Sequence, residues 1–444
     1  MPTEALIVKW WNPLYGTMRM AWAKNASYKM MIAALLWNDP VRLLNVPAIN
    51  DVELVMQVIK ELWWNAYWIG WKTVHIDPVT KGHTISDEFG KVSRASMLFL
   101  WPLLAKHWKA SIPMPGWDDL WKRPIDRTLD GLIALWAQRE LHWERLEVTA
   151  PNWLRWTSYK FAKNSHTWTE VLLMAAALAE WTTIIENAAL EPEIDDMIEF
   201  LNEMGARIRR RSFRTIEVKW VPHLWWAIHS VIPDRNNVVS YACATIISGW
   251  DVIIENANHR HLTSFLEKLQ EAWWGYEIGK YGIRFYHKWP LKATDIETRQ
   301  HPWFMTDWHA LWAILMCTAH WTSIIHETVY PSRFRHYMSI LGAMGGKFET
   351  FDPQVQHPEK VYNFNREPEL HTWGHYAIRI HGPVQFTWGQ HAIDDLRTWA
   401  TAIIAWLVSS EPTILTNIEQ IYRGYENIDE QMRSLGADIE RVVL

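Results

Sequence analysis

The 444-residue chain carries only two cysteines, Cys243 and Cys317, and only 19 glycines. Two cysteines give no disulfide framework and point to a reducing compartment. Neither sign of charge dominates: 44 Lys+Arg stand against 49 Asp+Glu, a net charge of −5. That balance leaves no electrostatic footprint for general nucleic-acid binding. No apolar run approaches the ~18 residues that signal a membrane span. The opening MPTEALIVKWW lacks the basic-then-apolar pattern of a secretory leader. A soluble cytosolic monomer is expected, with neither nucleic acid nor membrane among its partners. The length excludes a small stapled scaffold and allows several sizeable cores. What is abundant is tryptophan, 33 residues, beside a glycine content below the ordinary ~7%.

An internal repeat organises the chain. Five segments share an apolar β-rich stretch, a polar link, an amphipathic helix and a further strand. They begin near Val41, Thr182, Asp251, Thr322 and Thr413, and a weaker copy begins near Ala110. Most starts lie roughly 70 residues apart, a spacing that signals a repeat architecture. The last gap is longer and holds a polar, His- and Pro-rich stretch around 350–375. In the copy from Thr182, Ile194, Met197, Ile198, Leu201 and Met204 form one apolar helical stripe. TTIIENA and DVIIENA are β-branched and apolar, as strands require. Further helices are expected at Ala23–Leu36, Thr169–Ala179, Val238–Ile247, Asp307–Ala319 and Leu396–Val408. Six units are too many for one core, so two domains of three units are expected.

The repeat also accounts for the tryptophans. The helix of each copy ends in a pair that is Gly205-Ala206, Gly345-Gly346 or Gly436-Ala437 in three copies. In the other three it is Trp63-Trp64, Trp136-Ala137 and Trp273-Trp274. A residue just past a helix end often adopts left-handed φ/ψ, which glycine accepts freely. Trp181, Trp250 and Trp321 share a second repeat position, at the turn entering the next strand. Indoles thus occupy turns whose backbone favours glycine. Stacking surfaces for sugars or bases are the alternative, disfavoured because these residues follow turn positions rather than one face.

Local motifs resemble those of the enolpyruvyl transferases. AWAKNAS (21–27) is similar to the family's Gly-Ala-Lys-Asn-Ala, and PGWDDLWKRPID (115–126) to its catalytic loop, Pro-Gly-Gly-Cys-x-x-Gly-x-Arg-Pro-x-Asp. SRAS (93–96), KNSHTWTE (163–170), VIPDR (231–235), HPWFMTD (301–307), ETVYPSRF (327–334), DDLRTWA (394–400) and YRGYENI (422–428) follow in the family's order. The resemblance covers nearly the whole chain. It implies an α/β (α+β) fold, a two-domain inside-out α/β barrel of six βαβαββ repeats, three per domain. One domain is expected at about 21–231 and carries the catalytic loop. The other is expected to join 1–20 to 232–444. The AKNA, RPID, TD and DLR contexts fit the branch that acts on a UDP-sugar better than the sibling that acts on shikimate 3-phosphate.

The resemblance implies transfer of the enolpyruvyl group of phosphoenolpyruvate to UDP-N-acetylglucosamine, with no metal or organic cofactor. The implied catalytic residues are Lys24, Asp118, Asp307 and Arg397. Lys24, Arg123, Arg333, Arg397 and Arg423 are expected to line the phosphoenolpyruvate site, with Arg94 and Lys163 nearer the nucleotide. Arginine suits carboxylate and phosphate because its planar fork bonds them bidentately. Asp118 stands where most of the family has Cys and is expected to be the general acid. Its pKa must then be raised by burial or by a like charge such as Asp119. A thiol-alkylating epoxide such as fosfomycin finds no thiol there. Asp307 is expected to act as base or to orient the sugar hydroxyl. It also opens a predicted helix, where Asp is a good N-cap. Asn25 is expected to touch the sugar, Pro124, Ile125 and Asp126 to lie along the uridine, and Val329 to contact substrate. Asp395 is expected to contact the enolpyruvyl group or orient Arg397.

Departures from the family bear on turnover. Trp22, Trp117 and Trp121 stand where the family has Gly beside the reacting groups, and glycine hinges help such loops close. Trp168, Val171 and Trp303 alter the neighbouring contexts. The alternative expectation is therefore an impaired relative that keeps the fold and sugar-nucleotide binding. His371 and His375 have i, i+4 spacing, but no HExxH accompanies them and TWG lies between them, which speaks against a zinc helix. The HRH cluster at 259–261 likewise lacks a zinc motif. RIRRRSFR (207–214) reads as a solvated strand pair and link.

Overall fold

The computed structural model describes residues 4–9, 12–62, 64–77, 82–92, 94–113, 126–142, 145–286, 288, 290–330, 333–364, 375–387, 390–392, 396–409 and 412–443. The chain divides into two compact units, Trp22–Ile232 and Met1–Ala21 with Pro233–Leu444.

The repeat is plainest from Ser158. Strand Ser158–Lys160 leads to helix His166–Ala177, strand Thr182–Glu186, helix Pro192–Glu203 and the hairpin Arg207–Ser212/Thr215–Lys219. The first strand pairs parallel with the second, and the hairpin closes the sheet antiparallel. This is a βαβαββ unit. Its two helices differ as their sequences do. His166–Ala177 is buried on all sides from Thr169 onward, Glu170 included. Pro192–Glu203 buries the stripe of Ile194, Met197, Ile198 and Leu201 and turns Asp195 and Glu199 outward. A helix buried on every side lies inside, and a striped one lies at the surface with its polar residues toward solvent.

Each unit contains three separate sheets of this kind, which do not close on one another. In Trp22–Ile232 the others are Ala227–Ser230, Val41–Leu44, Thr73–Asp77 and Asn65–Trp68, and the three strands Lys109–Pro113, Arg145–Thr149 and Gln138–His142. The three-stranded sheet belongs to the copy that reads weakly in sequence. Its parallel edge is reduced, among the described residues, to a single bridge between Thr84 and Ser111. In the other unit, helices Arg235–Ser248, His309–Thr318 and Leu396–Trp406 pack mutually at the centre. Its last sheet is completed from the far end of the chain. Strand Glu4–Val8 lies between Thr413–Thr416 and Ile439–Val443, antiparallel to both. Strand Tyr15–Arg19 likewise supplies the parallel edge beside Asp251–Glu255. RIRRRSFR is the solvated hairpin its pattern suggests: Arg209 and Arg211 flank Glu217.

The six helix ends share one turn. The second residue of each terminal pair donates its N–H five residues back: Trp64 to Ile59, Ala137 to Leu132, Ala206 to Leu201, Trp274 to Leu269, Gly346 to Leu341 and Ala437 to Met432. This closure needs a left-handed residue in front of the donor. Gly205, Gly345 and Gly436 supply it at φ +97°, +102° and +102°; Trp136 and Trp273 supply it at +72° and +66°. Trp63 lies outside the described residues. The indoles are tolerated because they meet solvent, Trp136 being 61% exposed and Trp273 49%. A cation covers each, Arg155 over Trp136 and Lys292 over Trp273. At the second repeat position, Trp181 and Trp321 are left-handed, at +67° and +77°. Trp250 corrects the pattern: there the left-handed residue is the preceding Gly249, at φ +86°.

Candidate active site

In Trp22–Ile232, Lys24 begins helix Lys24–Ala33. Its Nζ lies 2.7 Å from Asp51 Oδ2, in the first turn of helix Asn50–Glu61, and both side chains are largely shielded from solvent. Asn25 follows it, half-buried, and Lys163 is half-buried before helix His166–Ala177. Deeper in the same unit, buried Lys29 pairs with Glu170, whose other oxygen faces His166 at 3.1 Å. Burial is the strongest single influence on the Lys29 ammonium and pulls it down, yet the charge and hydrogen bond of Glu170, with Tyr28 and Glu193, together outweigh burial and hold the group above its ordinary value. Trp22 is half-buried against this core, and its backbone is not left-handed. Val171 is buried, and Trp168 packs against the core.

In the other unit, a constellation forms where strand Trp321–His326 ends. Glu327, fully buried, accepts the N–H of Val329 at 2.6 Å and of Tyr330 at 2.8 Å through Oε1. Its Oε2 accepts the Thr306 hydroxyl at 2.9 Å. Arg333 Nη1 then donates to Asp307 Oδ1 at 2.9 Å and reaches Thr306 Oγ1 at 3.4 Å, with its guanidinium over the Tyr330 ring. Asp307 and Arg333 remain about one-quarter exposed, open to a ligand. Val329 sits, buried, in the turn between them.

Asp307 is not a helix cap. It sits within the 3-10 turn Thr306–Trp308, and helix His309–Thr318 starts after Trp308 with no side-chain cap bond. The guanidinium of Arg333 competes successfully for the carboxylate, because a charged partner binds it more strongly than backbone N–H groups do. Nearby, Asp234 does cap Arg235–Ser248, accepting from the N–H groups of Asn236 and Asn237. The cap fixes Arg235, which is buried, stacks over Trp308 and donates to His301 Nδ1 at 3.0 Å. Trp303 is 59% exposed in the loop leading to Asp307. Arg423 is exposed at the end of Ile418–Arg423 and donates to Gln420.

The structure thus joins Asp307, Arg333 and Val329 in one unit, and Lys24 and Asn25 in the other. Asp118, Asp119, Arg123, Pro124, Ile125 and Asp395, with Trp117, Trp121 and His371, lie outside the described residues. Arg94, Asp126 and Arg397 lie in the described segments Arg94–Phe99, Asp126–Ala134 and Leu396–Trp406, with their side chains outside the description. Sequence reasoning missed the partners: Asp51, Thr306 and Glu327. The last two stand inside motifs already singled out, yet nothing local marks an acid whose donors come from another element. Among the described residues no group of three His, Cys, Asp or Glu side chains is placed to hold a metal. No described helix is long and apolar enough to cross a membrane.

The strand carrying Glu327 has its own clamp. Glu297, on the parallel edge Ile296–Glu297, faces His326 at 3.2 Å and also binds Arg299. The hydrogen bond from His326 and the help of Arg299 outweigh burial and hold the Glu297 carboxyl at about 2, below its ordinary 4.5. A carboxylate with a depressed folded pKa stabilises the fold above its unfolded pKa, and that contribution is lost as pH falls toward the folded value. Glu297→Gln is therefore expected to lower Tm at neutral pH. The deficit should shrink as pH falls through about 4, and a deficit unchanged at acid pH would show the charge to be irrelevant.

Residues 8–432 match the family of EPSP synthase (3-phosphoshikimate 1-carboxyvinyltransferase). The chain belongs to this enolpyruvyl transferase family. Among curated relatives, this enolpyruvyl transferase is 33% identical over 432 residues to UDP-N-acetylglucosamine 1-carboxyvinyltransferase of Idiomarina loihiensis, covering 97% of each chain. It is 34% identical over 444 residues to UDP-N-acetylglucosamine 1-carboxyvinyltransferase 2 of Carboxydothermus hydrogenoformans, covering 99% of each. The fold of this transferase is similar to the enolpyruvyl transferase NikO from Streptomyces tendae, with TM-score 0.86 and 20% identity over the whole of both chains. It is also similar to EPSP synthase from Acinetobacter baumannii, with TM-score 0.73 and 16% identity over 99% and 100%.

Proposed function

We propose that this enzyme transfers the enolpyruvyl group of phosphoenolpyruvate to the 3-hydroxyl of UDP-N-acetylglucosamine with release of phosphate, the committed step into peptidoglycan precursors in the cytoplasm. The observation that carries this reading is one-third identity, along nearly the entire chain, to two relatives named for that acceptor. The chemistry needs cations for phosphate and carboxylate, an acid for the enol carbon and a base for the hydroxyl. In the addition step the sugar oxygen bonds to C2 of phosphoenolpyruvate while C3 gains a proton from Asp118. In the elimination step C3 returns a proton to the Asp118 carboxylate, the C2–C3 double bond re-forms, and the bond from C2 to the phosphate oxygen breaks as phosphate leaves. Asp307, ionised beside Arg333 and open to solvent, is suited to take the hydroxyl proton. Lys24, held by Asp51, supplies positive charge in the other unit. Asn25, Arg94, Arg123, Pro124, Ile125, Asp126, Lys163, Val329, Asp395, Arg397 and Arg423 complete the proposed set by motif.

The test is phosphate release from phosphoenolpyruvate with each acceptor in turn. Release that requires UDP-N-acetylglucosamine, with none on shikimate 3-phosphate, is the expected result; the reverse dependence would overturn the acceptor assignment. A second reading, binding with impaired turnover, is favoured by Trp22, which stands two residues before Lys24 in a position the family gives to glycine. Calorimetric binding of the sugar nucleotide without phosphate release would select it.

A further inference from the structure

The proposed reaction leaves Glu327 without a task. It is completely buried at the end of Trp321–His326, and among the described residues its carboxylate pairs with no lysine or arginine. We propose that Glu327 and Thr306 form a positioning device that sets Arg333 against Asp307, an inference that rests on the role given above to Asp307.

The geometry is a relay with a defined direction. Oε1 of Glu327 takes two successive backbone N–H groups, from Val329 and Tyr330. That fixes the turn from which helix Arg333–Ala343 is reached, and the Arg333 N–H closes back on the Tyr330 carbonyl at 3.1 Å. Oε2 takes the proton of the Thr306 hydroxyl. A hydroxyl whose proton is committed presents its lone pairs outward. The Thr306 oxygen presents one to Arg333 Nη1, at 3.4 Å, while the same nitrogen donates to Asp307 at 2.9 Å. One carboxylate therefore ties together the turn before Arg333 and the 3-10 turn bearing Asp307.

Glu327 is further held by its surroundings. The Thr328 N–H donates to Thr298 Oγ1 at 3.0 Å. His309, on the helix packed behind, has its Nδ1 3.8 Å from Glu327 Oε2 and 3.3 Å from the Tyr337 hydroxyl. These contacts anchor the acid without engaging the arginine. The Tyr330 link reaches Arg333 through the backbone, whereas Thr306 touches the Arg333 guanidinium itself, so Thr306 is the residue to test.

Thr306→Val keeps the shape and removes the hydroxyl; Thr306→Ser keeps the hydroxyl and removes the methyl. Misplacement of a reacting group by about 1 Å lowers rate by up to about a hundredfold. The expected result is a kcat for Thr306→Val at least about tenfold below wild type, with KM for UDP-N-acetylglucosamine within about threefold, and near-complete rescue in Thr306→Ser. Equal kcat values in the valine and wild-type enzymes, or a serine variant as slow as the valine one, would overturn the proposal. Crystal structures of the two variants decide it independently of turnover. Loss of the Arg333–Asp307 contact in the valine variant alone supports the device, and its retention in both refutes it. A wild-type enzyme that releases no phosphate would instead count against the proposed function, while the crystallographic comparison still judges the relay.

Discussion

Asp307→Asn is expected to cut phosphate release by about a hundredfold or more while UDP-N-acetylglucosamine still binds within a few-fold of wild type. The substitution is chosen because asparagine keeps an oxygen for Arg333 and loses only the charge and the capacity to accept a proton. If Asp307 merely anchored Arg333, the amide oxygen would serve at the same 2.9 Å and turnover would survive. If the carboxylate removes the sugar proton, the amide cannot substitute, and general-base loss costs about 10²–10⁴ in rate. Stability should hardly move, since the pair is about one-quarter exposed and such ion pairs contribute about 0–1 kcal/mol. Steady-state kinetics, calorimetry and a thermal melt on the one variant separate these outcomes. Wild-type turnover in Asp307→Asn would remove this residue from the proton-transfer role.

The second large effect concerns stability. Replacing Trp136, Trp181, Trp273 and Trp321 together by glycine is expected to raise resistance to urea substantially. Each stands at positive φ, where a non-glycine residue costs about 1–2 kcal/mol. Each is at least 49% exposed, so little apolar burial is forfeited. The losses are the cation contacts of Arg155 and Lys292, about 0.5–1 kcal/mol each at such sites, and the edge contact between Trp273 and Trp321. Glycine's greater freedom in the unfolded chain takes back a further part. The net gain is on the order of a few kcal/mol across the four positions, with Trp273 and Trp321 counted as one coupled pair because their rings touch. A lower urea midpoint in the quadruple variant would mean that the indoles stabilise through contacts that outweigh their backbone strain.

The same turns show what a sequence makes visible. The helix-end pairs were legible because a conformational demand, positive φ, recurs at fixed repeat positions, so Trp136 and Trp273 could be aligned with Gly205, Gly345 and Gly436 before any coordinates. The stripe from Ile194 to Leu201 was legible for the related reason that a helix face repeats locally. Trp250 misled because the demand had moved one residue, onto Gly249. Asp307 had two readings, a functional acid and a helix cap. An acid at a helix start reads as a cap, and only its three-dimensional neighbour, Arg333, twenty-six residues on, shows the carboxylate engaged elsewhere. Lys24 with Asp51, and Thr306 with Glu327, are pairings between elements, which no local pattern encodes. Motif resemblance named Lys24, Asp307 and Arg333; it did not name what holds them.

Strand Glu4–Val8, seated between Thr413–Thr416 and Ile439–Val443, imposes an order on synthesis. This strand is made before residues 22–232 and pairs with strands made after them, so its partners arrive late. Residues 22–232 are contiguous and can fold while the remainder is still being made. The nascent N-terminal strand, apolar at Ala5, Leu6 and Val8, is meanwhile left as an unpaired edge, the exposure that chaperones recognise.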